Sequence, residues 1–292
     1  MPEGRHGPGP RVDGPRVDQL ALVLGGGGVA GVAWHTGVLL GLAEGGVDLT
    51  RADRIVGTSA GATVAAQVGG GAALDELYGR QIDDAAAGTE LTPTLSVAEL
   101  WDRMAPIYSE ATDDRDRRLR LGRLALEADT VDESVRRRVI AARLEGLDWV
   151  GDRVAVVAVD ADTGVRRIFD RSSGVDIVDA VAASCAVPGV WPTVTVDGNR
   201  YLDGGIWSMT NSDLAVGCDP VVVLAPFSDP AMQTELAGLG DGVRSVVITP
   251  DEVSLEAFGT DVLDPAVRGP AARAGRDQGR NEVGRVGSVL AG

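Results

Sequence analysis

The chain contains no lysine; all 27 of its basic residues are arginine. That absence removes every chemistry that needs a side-chain amine, including a Walker phosphate loop, a Schiff base and a Ser–Lys pair. Histidine is almost missing too, with only His6 and His35, and cysteine is confined to Cys185 and Cys218. Those four residues are too few for a Cys/His zinc site at ordinary spacing. Two isolated cysteines make no disulfide framework, so a reducing, cytoplasmic compartment is the expectation. No apolar run reaches the ~18 residues of a membrane span. No secretion signal is visible: residues 1–18 are polar, rich in proline and glycine, and read as a flexible tail. Positive charge is scarce, since 43 acidic residues against 27 basic ones leave a net charge of −16. A field of that sign repels nucleic acid.

What the chain has in excess is glycine, 40 of 292 residues, about twice the usual ~7%. The length suits one large domain, and 19–292 reads as a single unit. Short apolar runs at 19–24, 55–56, 154–159, 221–224 and 245–248 read as buried strands. Residues 165–169 pair with 154–159 across the Asp162–Gly164 turn, and 193–196 pair with 200–202. Helical spacing predicts helices over 31–42 and 60–68. Residues 73–150 read as a cap-like insertion of several helices, broken at Pro93 and Pro106. Residues 265–290 read as a terminal helix weakened by its glycines. Alternating strands and helices predict an α/β fold with a mostly parallel sheet.

Gly57-Thr58-Ser59-Ala60-Gly61 is G-x-S-x-G, set between a short strand and a helix. A sharp strand-to-helix turn exposes the serine oxygen, and the helix N-terminus favours developing negative charge. By itself the pentapeptide is also a plain glycine-rich turn. A serine hydroxyl needs a base. No histidine follows position 35, and there is no lysine, so a carboxylate acting directly on Ser59 is the expectation. His35 shares a helical stripe with Val38, Leu39 and Leu42 and reads as a core residue. Asp203, in Tyr201-Leu202-Asp203-Gly204-Gly205, follows a short extended segment, although Asp-Gly-Gly is also an ordinary turn. Gly25–Gly31 links the first strand to the first helix. Gly26, Gly28 and Gly31 satisfy G-x-G-x-x-G, but Asp48 lies before the second strand rather than at its end, which disfavours dinucleotide binding. Backbone N–H groups at such a turn suit an oxyanion hole better.

These elements, in this order, resemble the patatin-like phospholipase family: Gly26-Gly27-Gly28-Val29-Ala30-Gly31, then the Ser59 pentapeptide, then Asp203-Gly204-Gly205. The block from Ala182 to Pro192 is similar as well, and the resemblance spans roughly residues 19–225. It departs at Ala30, where the family carries a basic residue, and after Gly205, where the run is Ile206 to Asn211. The resemblance implies a three-layer α/β/α fold like the cytosolic phospholipase A2 catalytic domain. It implies a lipid acyl hydrolase in which Ser59 is the nucleophile, Asp203 the base, and Gly26, Gly27 and Gly28 the oxyanion hole. No metal or organic cofactor is implied. The expected partner is a lipid or other acyl ester, with peripheral contact at a membrane surface and no nucleic acid. A lipid-binding or regulatory protein on the same scaffold is the alternative, and Ala30 leans that way.

Two further patterns have plain readings. Nine arginines and seven acids between 113 and 143 read as solvated helix faces with i,i+4 pairs, against an alternative of contact with anionic headgroups. Trp101, Met104, Ile107 and Tyr108 lie at helical spacing and read as a core face. Cys185 and Cys218 read as small buried side chains.

Overall fold

The computed structural model describes residues 18–83, 90–93, 95–227 and 229–292. The tail expected over 1–18 lies almost wholly outside them. Eight strands form one sheet. They are β1 (Ala21–Leu24), β2 (Arg54–Thr58), β3 (Val154–Asp160), β4 (Arg166–Phe169), β5 (Val194–Val196), β6 (Asn199–Asp203), β7 (Val221–Leu224) and β8 (Ser245–Ile248). The helices are α1 (Gly28–Glu44), α2 (Ala60–Gly69), α3 (Leu74–Ile82), α4 (Val97–Glu110), α5 (Asp114–Glu127), α6 (Glu133–Leu144), α7 (Ile177–Ser184), α8 (Pro230–Ala237), α9 (Glu252–Phe258) and α10 (Arg268–Ala291).

The run β3-β2-β1-β7-β8 is parallel throughout. Its central strands are apolar on both faces, as buried parallel strands must be. Leu22 and Leu24 enter a core with Trp34 of α1 and Val64 of α2. Ala21 and Val23 point the other way, toward Met232 of α8. Helices thus cover both faces, and the architecture is the three-layer α/β/α sandwich the sequence implies. A third cluster joins α4 and α5 to β3 and β6 through Met104, Leu121, Val159 and Leu202.

The register of β3 explains where the site lies. Val156 and Val157 pair with β2 on one flank and with β4 on the other. Ala158 and Val159 pair with β4 and with β6. β2 and β6 therefore share one flank of β3, running in opposite directions, and their C-terminal ends meet. Ser59 follows the last residue of β2, and Asp203 is the last residue of β6.

Two expectations need correction. Pro106 lies inside α4 and does not break it. The carbonyl left without an amide partner is that of Asp102, which is exposed to water. The stripe on α4 splits: Met104 is buried, whereas Trp101 and Tyr108 are exposed and stand 5.6 Å apart ring to ring. Trp101 and Tyr108 are seven residues apart, nearly two full turns, which puts them on one side of the helix; Met104 falls about 60° round from Trp101. Two of the glycines of α10, Gly275 and Gly279, have a packing role that the sequence reading did not give them. With Gly41 of α1 they let the two helices lie close together: a Cβ on Gly41 would stand 2.1 Å from the Arg276 carbonyl and one on Gly279 2.3 Å from that of Val38.

Candidate active site

Ser59 sits at φ 53°, ψ −115° at the head of α2. That is strained backbone for a residue with a Cβ, as a sharp strand-to-helix turn demands. The flanking glycine has a steric cause, since a Cβ on Gly61 would stand 1.9 Å from the Leu24 carbonyl. The turn is held by neighbours. Ser184 Oγ accepts the Ser59 N–H at 2.9 Å and donates to the Val157 carbonyl at 2.5 Å. Cys185 Sγ contacts the Ser59 carbonyl at 3.2 Å.

The structure brings Ser59 and Asp203 together. Ser59 Oγ donates to Asp203 Oδ2 at 2.6 Å, across 144 residues of chain. Asp203 Oδ1 accepts the Gly205 N–H at 2.8 Å, and the Asp203 N–H donates to the Ala186 carbonyl at 3.0 Å. Both side chains are buried. Burial raises the Asp203 carboxyl to a pKa of about 6, and the bonds from Ser59 and Gly205 oppose that rise. A carboxylate so placed remains mostly ionised at neutral pH and is more basic than an ordinary one.

The glycine loop lies against Ser59. A Cβ on Gly26 would stand 3.6 Å from that of Ser59. Among the described residues, no carbonyl takes the N–H of Gly27 or Gly28. Gly26 corrects the expectation of three donors, because its N–H already donates to the Met209 carbonyl at 2.8 Å. α1 and α2 have no side-chain cap and no acid in their first turns. The Gly61 N–H is taken by the Gly25 carbonyl at 3.1 Å, and the N–H groups of Gly28, Val29 and Ala60 meet no carbonyl among the described residues. Ala30 is fully buried, and its N–H donates to the Val262 carbonyl.

The run after Gly205 has a structural role that sequence reasoning missed. Asn211 Nδ2 donates to Thr58 Oγ1 at 3.1 Å and to the Gly204 carbonyl at 3.4 Å. It ties the end of β2 to the turn after β6, and Met209 anchors Gly26. An asparagine a few residues past Asp-Gly-Gly, in the left-handed conformation at φ 53°, was the available signal. His35 is where its stripe predicts, fully buried. Its Nε2 lies 2.9 Å from the Gly25 carbonyl, so Nε2 carries the proton, and burial lowers its pKa to about 4. The ring is neutral and braces the loop from behind.

The Ser59 pocket holds only about 20 Å³ of free space, roughly one water. Its walls include Val29, Leu91, Arg136, Trp191 and Leu263. A neighbouring cavity of about 150 Å³ shares Val29, Glu90 and Arg143 with it. No cluster of metal-ligating side chains occurs among the described residues, and no described helix is long and apolar enough to cross a membrane.

Solved structures similar to this chain include VipD from Legionella pneumophila, at 12% identity and a TM-score of 0.45, covering 93% of this chain and 67% of that one. The type III effector ExoU matches at 15% identity and 0.39, covering 92% and 53%. ExoU in complex with SpcU, from Pseudomonas aeruginosa, matches at 18% identity and 0.32, covering 89% and 52%. The chain therefore spans about half the length of ExoU. The sequence itself is decisive: residues 22–216 match the model of the patatin-like phospholipase family, well over half of the chain, and the chain belongs to that family of lipid hydrolases.

Proposed function

We propose that this protein hydrolyses acyl esters of lipids through a Ser59–Asp203 dyad. The observation that carries the reading is the 2.6 Å hydrogen bond between Ser59 Oγ and Asp203 Oδ2 at a buried strand-to-helix turn. Asp203 takes the hydroxyl proton as Ser59 Oγ attacks the ester carbonyl. Negative charge gathers on the carbonyl oxygen, where the Gly27 and Gly28 N–H groups and the two helix N-termini stabilise it. The protonated Asp203 then gives its proton to the departing alcohol. Water, deprotonated by the same carboxylate, attacks the acyl-enzyme and releases the acid and Ser59. Every step uses groups of this chain, and the expected activity needs no metal.

The test is labelling with an alkyl fluorophosphonate followed by mapping of the modified residue. Label is expected on Ser59, and Ser59→Ala should lose both label and esterase activity while its circular dichroism stays native. Label on another serine would overturn the nucleophile. A folded wild type that neither labels nor hydrolyses esters would leave the lipid-binding alternative standing.

A further inference from the structure

Where the Gly27 and Gly28 N–H groups point depends on the peptide before them, because a peptide unit turns as one plane. That peptide joins Gly25 to Gly26, and both its ends are pinned. The Gly25 carbonyl accepts His35 Nε2 at 2.9 Å and the Gly61 N–H at 3.1 Å. The Gly26 N–H donates to the Met209 carbonyl at 2.8 Å. His35 and Gly61 belong to the buried helices α1 and α2, whereas Met209 lies in a loop outside any helix or strand. It therefore needs support of its own. Its side chain lies between the two glycine motifs: a Cβ on Gly26 would stand 2.9 Å from Met209 Cε, and one on Gly205 3.1 Å from Sδ. Its N–H donates to Asp229 Oδ2 at 2.8 Å, a bond of the stronger, charge-assisted kind. The other oxygen of Asp229 caps α8 by accepting the Met232 N–H at 2.9 Å. Further along α8, Glu235 accepts Thr210 Oγ1 at 3.2 Å and the Ser212 N–H at 2.8 Å. Helix α8 is seated in turn by Met232, which is buried against Ala21 and Val23 of β1. Support thus runs from the sheet through α8 and Asp229 to Met209, and from Met209 to Gly26. Asp229 and Glu235 both lie beyond residue 216, where the family match ends.

We infer that Asp229 is a positioning residue for the hydrolysis: by fixing Met209 it fixes the Gly26 N–H, and with it the direction of the Gly27 and Gly28 N–H groups beside Ser59. The assignment rests on the hydrolase reading. The two oxygens of Asp229 go to Met209 and Met232, so it acts on the reaction only through the glycine loop. Its effect falls on the transition state, because the ester carbonyl carries little charge until Ser59 Oγ has attacked it. A loop freed from Met209 still admits the ester but meets the developing oxyanion poorly.

The experiment separates the clamp from the helix cap. Asparagine caps a helix about as well as aspartate. Asp229→Asn can therefore keep Oδ1 on Met232 while turning an Nδ2 donor toward the Met209 N–H, which breaks the clamp alone. With a soluble p-nitrophenyl acyl ester, kcat should fall about 10- to 100-fold and KM stay within about threefold, a smaller loss than the ~10²–10³-fold for an oxyanion donor deleted outright. A trifluoromethyl ketone of the same acyl chain adds to Ser59 Oγ and carries the oxyanion in the adduct. Its Ki should rise by the factor by which kcat/KM falls. A variant that merely folds less well shows a lower kcat with an unchanged Ki, and that result would overturn the inference, as would a loss confined to KM. Asp251→Ala, which removes the cap of α9, should lower the melting temperature and leave Ki unchanged. If Asp229→Asn does not fold, Asp229→Ser, which also keeps a capping oxygen, reads the same quantities. Amide hydrogen exchange reads the contact without substrate. The Gly26 N–H should exchange at least about tenfold faster in Asp229→Asn than in wild type, with the β1 amides unchanged. If the wild type neither hydrolyses the ester nor binds the ketone, the hydrolase reading fails. The Gly26 exchange rate then still judges the clamp, and equal rates in wild type and Asp229→Asn would refute it.

Discussion

To serve as the proposed base Asp203 has to be ionised, yet the fold removes it from water. Its carboxyl is raised to about 6 by burial, against an ordinary 3.8. The folded state therefore binds the proton more tightly than the unfolded one. Stability falls as pH rises from about 4 to 6, and above that the full cost of a buried carboxylate is present. Two units correspond to roughly 3 kcal/mol. Asp203→Asn can keep the Gly205 bond at Oδ1 and reverse the other, Nδ2 donating to Ser59 Oγ, and it sheds the charge. It should therefore unfold at a higher temperature than wild type at pH ~8, while losing ~10²–10⁴-fold in kcat. In the wild type, kcat/KM should fall about tenfold per unit below pH ~6. A melting scan and a pH–rate profile check these together, and a profile flat down to pH ~5 would remove Asp203 as the base. His35 has the opposite sign. Its folded pKa lies near 4, below 6.5, so the stability it supplies is lost as pH falls from about 6.5 toward 4. His35→Gln should cost ~1–3 kcal/mol of stability and leave kcat per fluorophosphonate-titratable site within about tenfold. A drop beyond ~10³-fold in a folded variant would mean that imidazole carries the proton.

At the scale of elements, α1 and α10 pack backbone to backbone, and two glycines of that pair of helices test the point in opposite directions. Gly→Ala in a helix interior normally stabilises by up to ~1 kcal/mol. Gly284 of α10 has open space around it, so Gly284→Ala should show that gain. Gly41 of α1 has the Arg276 carbonyl 2.1 Å from where a Cβ would sit. Gly41→Ala should instead destabilise by ~1–3 kcal/mol, since a well-packed contact cannot absorb a methyl. Urea titration of both variants decides it, and equal shifts would deny the close contact. This is also where sequence reading was weakest, because glycine in a helix looks like a flaw until its partner is known. The contact between Ser59 and Asp203 was legible for the contrary reason. Strand, turn and helix around Ser59 are local; the absence of other bases pointed to a carboxylate among 43 acidic residues, and the resemblance of Asp203-Gly204-Gly205 to the family's motif singled one out. Arg136 was not legible. Among nine arginines between 113 and 143, Arg117 and Arg120 do pair with acids three or four residues away, and only tertiary packing buries Arg136. Helices α8 and α9 were missed although Asp229-Pro230 and Asp251 are sound N-caps, since each helix is too short for a period to show.

For the molecule as a whole, Ser59 and Asp203 meet because β2 and β6 share a flank of β3, and that arrangement depends on a sheet whose centre is β1. One neighbour of β1 is β2; the other is β7, which begins at Val221. The match to the family ends at residue 216. A gene shortened to that point would still encode Ser59, Asp203 and the glycine loop. It would also leave β1 as a bare edge and strip α10 from α1, opening apolar surface and unpaired backbone to other chains. The expected product is an aggregate rather than a small enzyme, and expression of residues 18–216 with size-exclusion chromatography checks this; a soluble monomer with esterase activity would refute it. The stretch by which kinship is recognised and the stretch able to exist alone are of different lengths. The last quarter of the chain also gives Leu263 to the wall of the Ser59 pocket and the Val262 carbonyl that takes the Ala30 N–H, so its loss would open the pocket as well as the sheet.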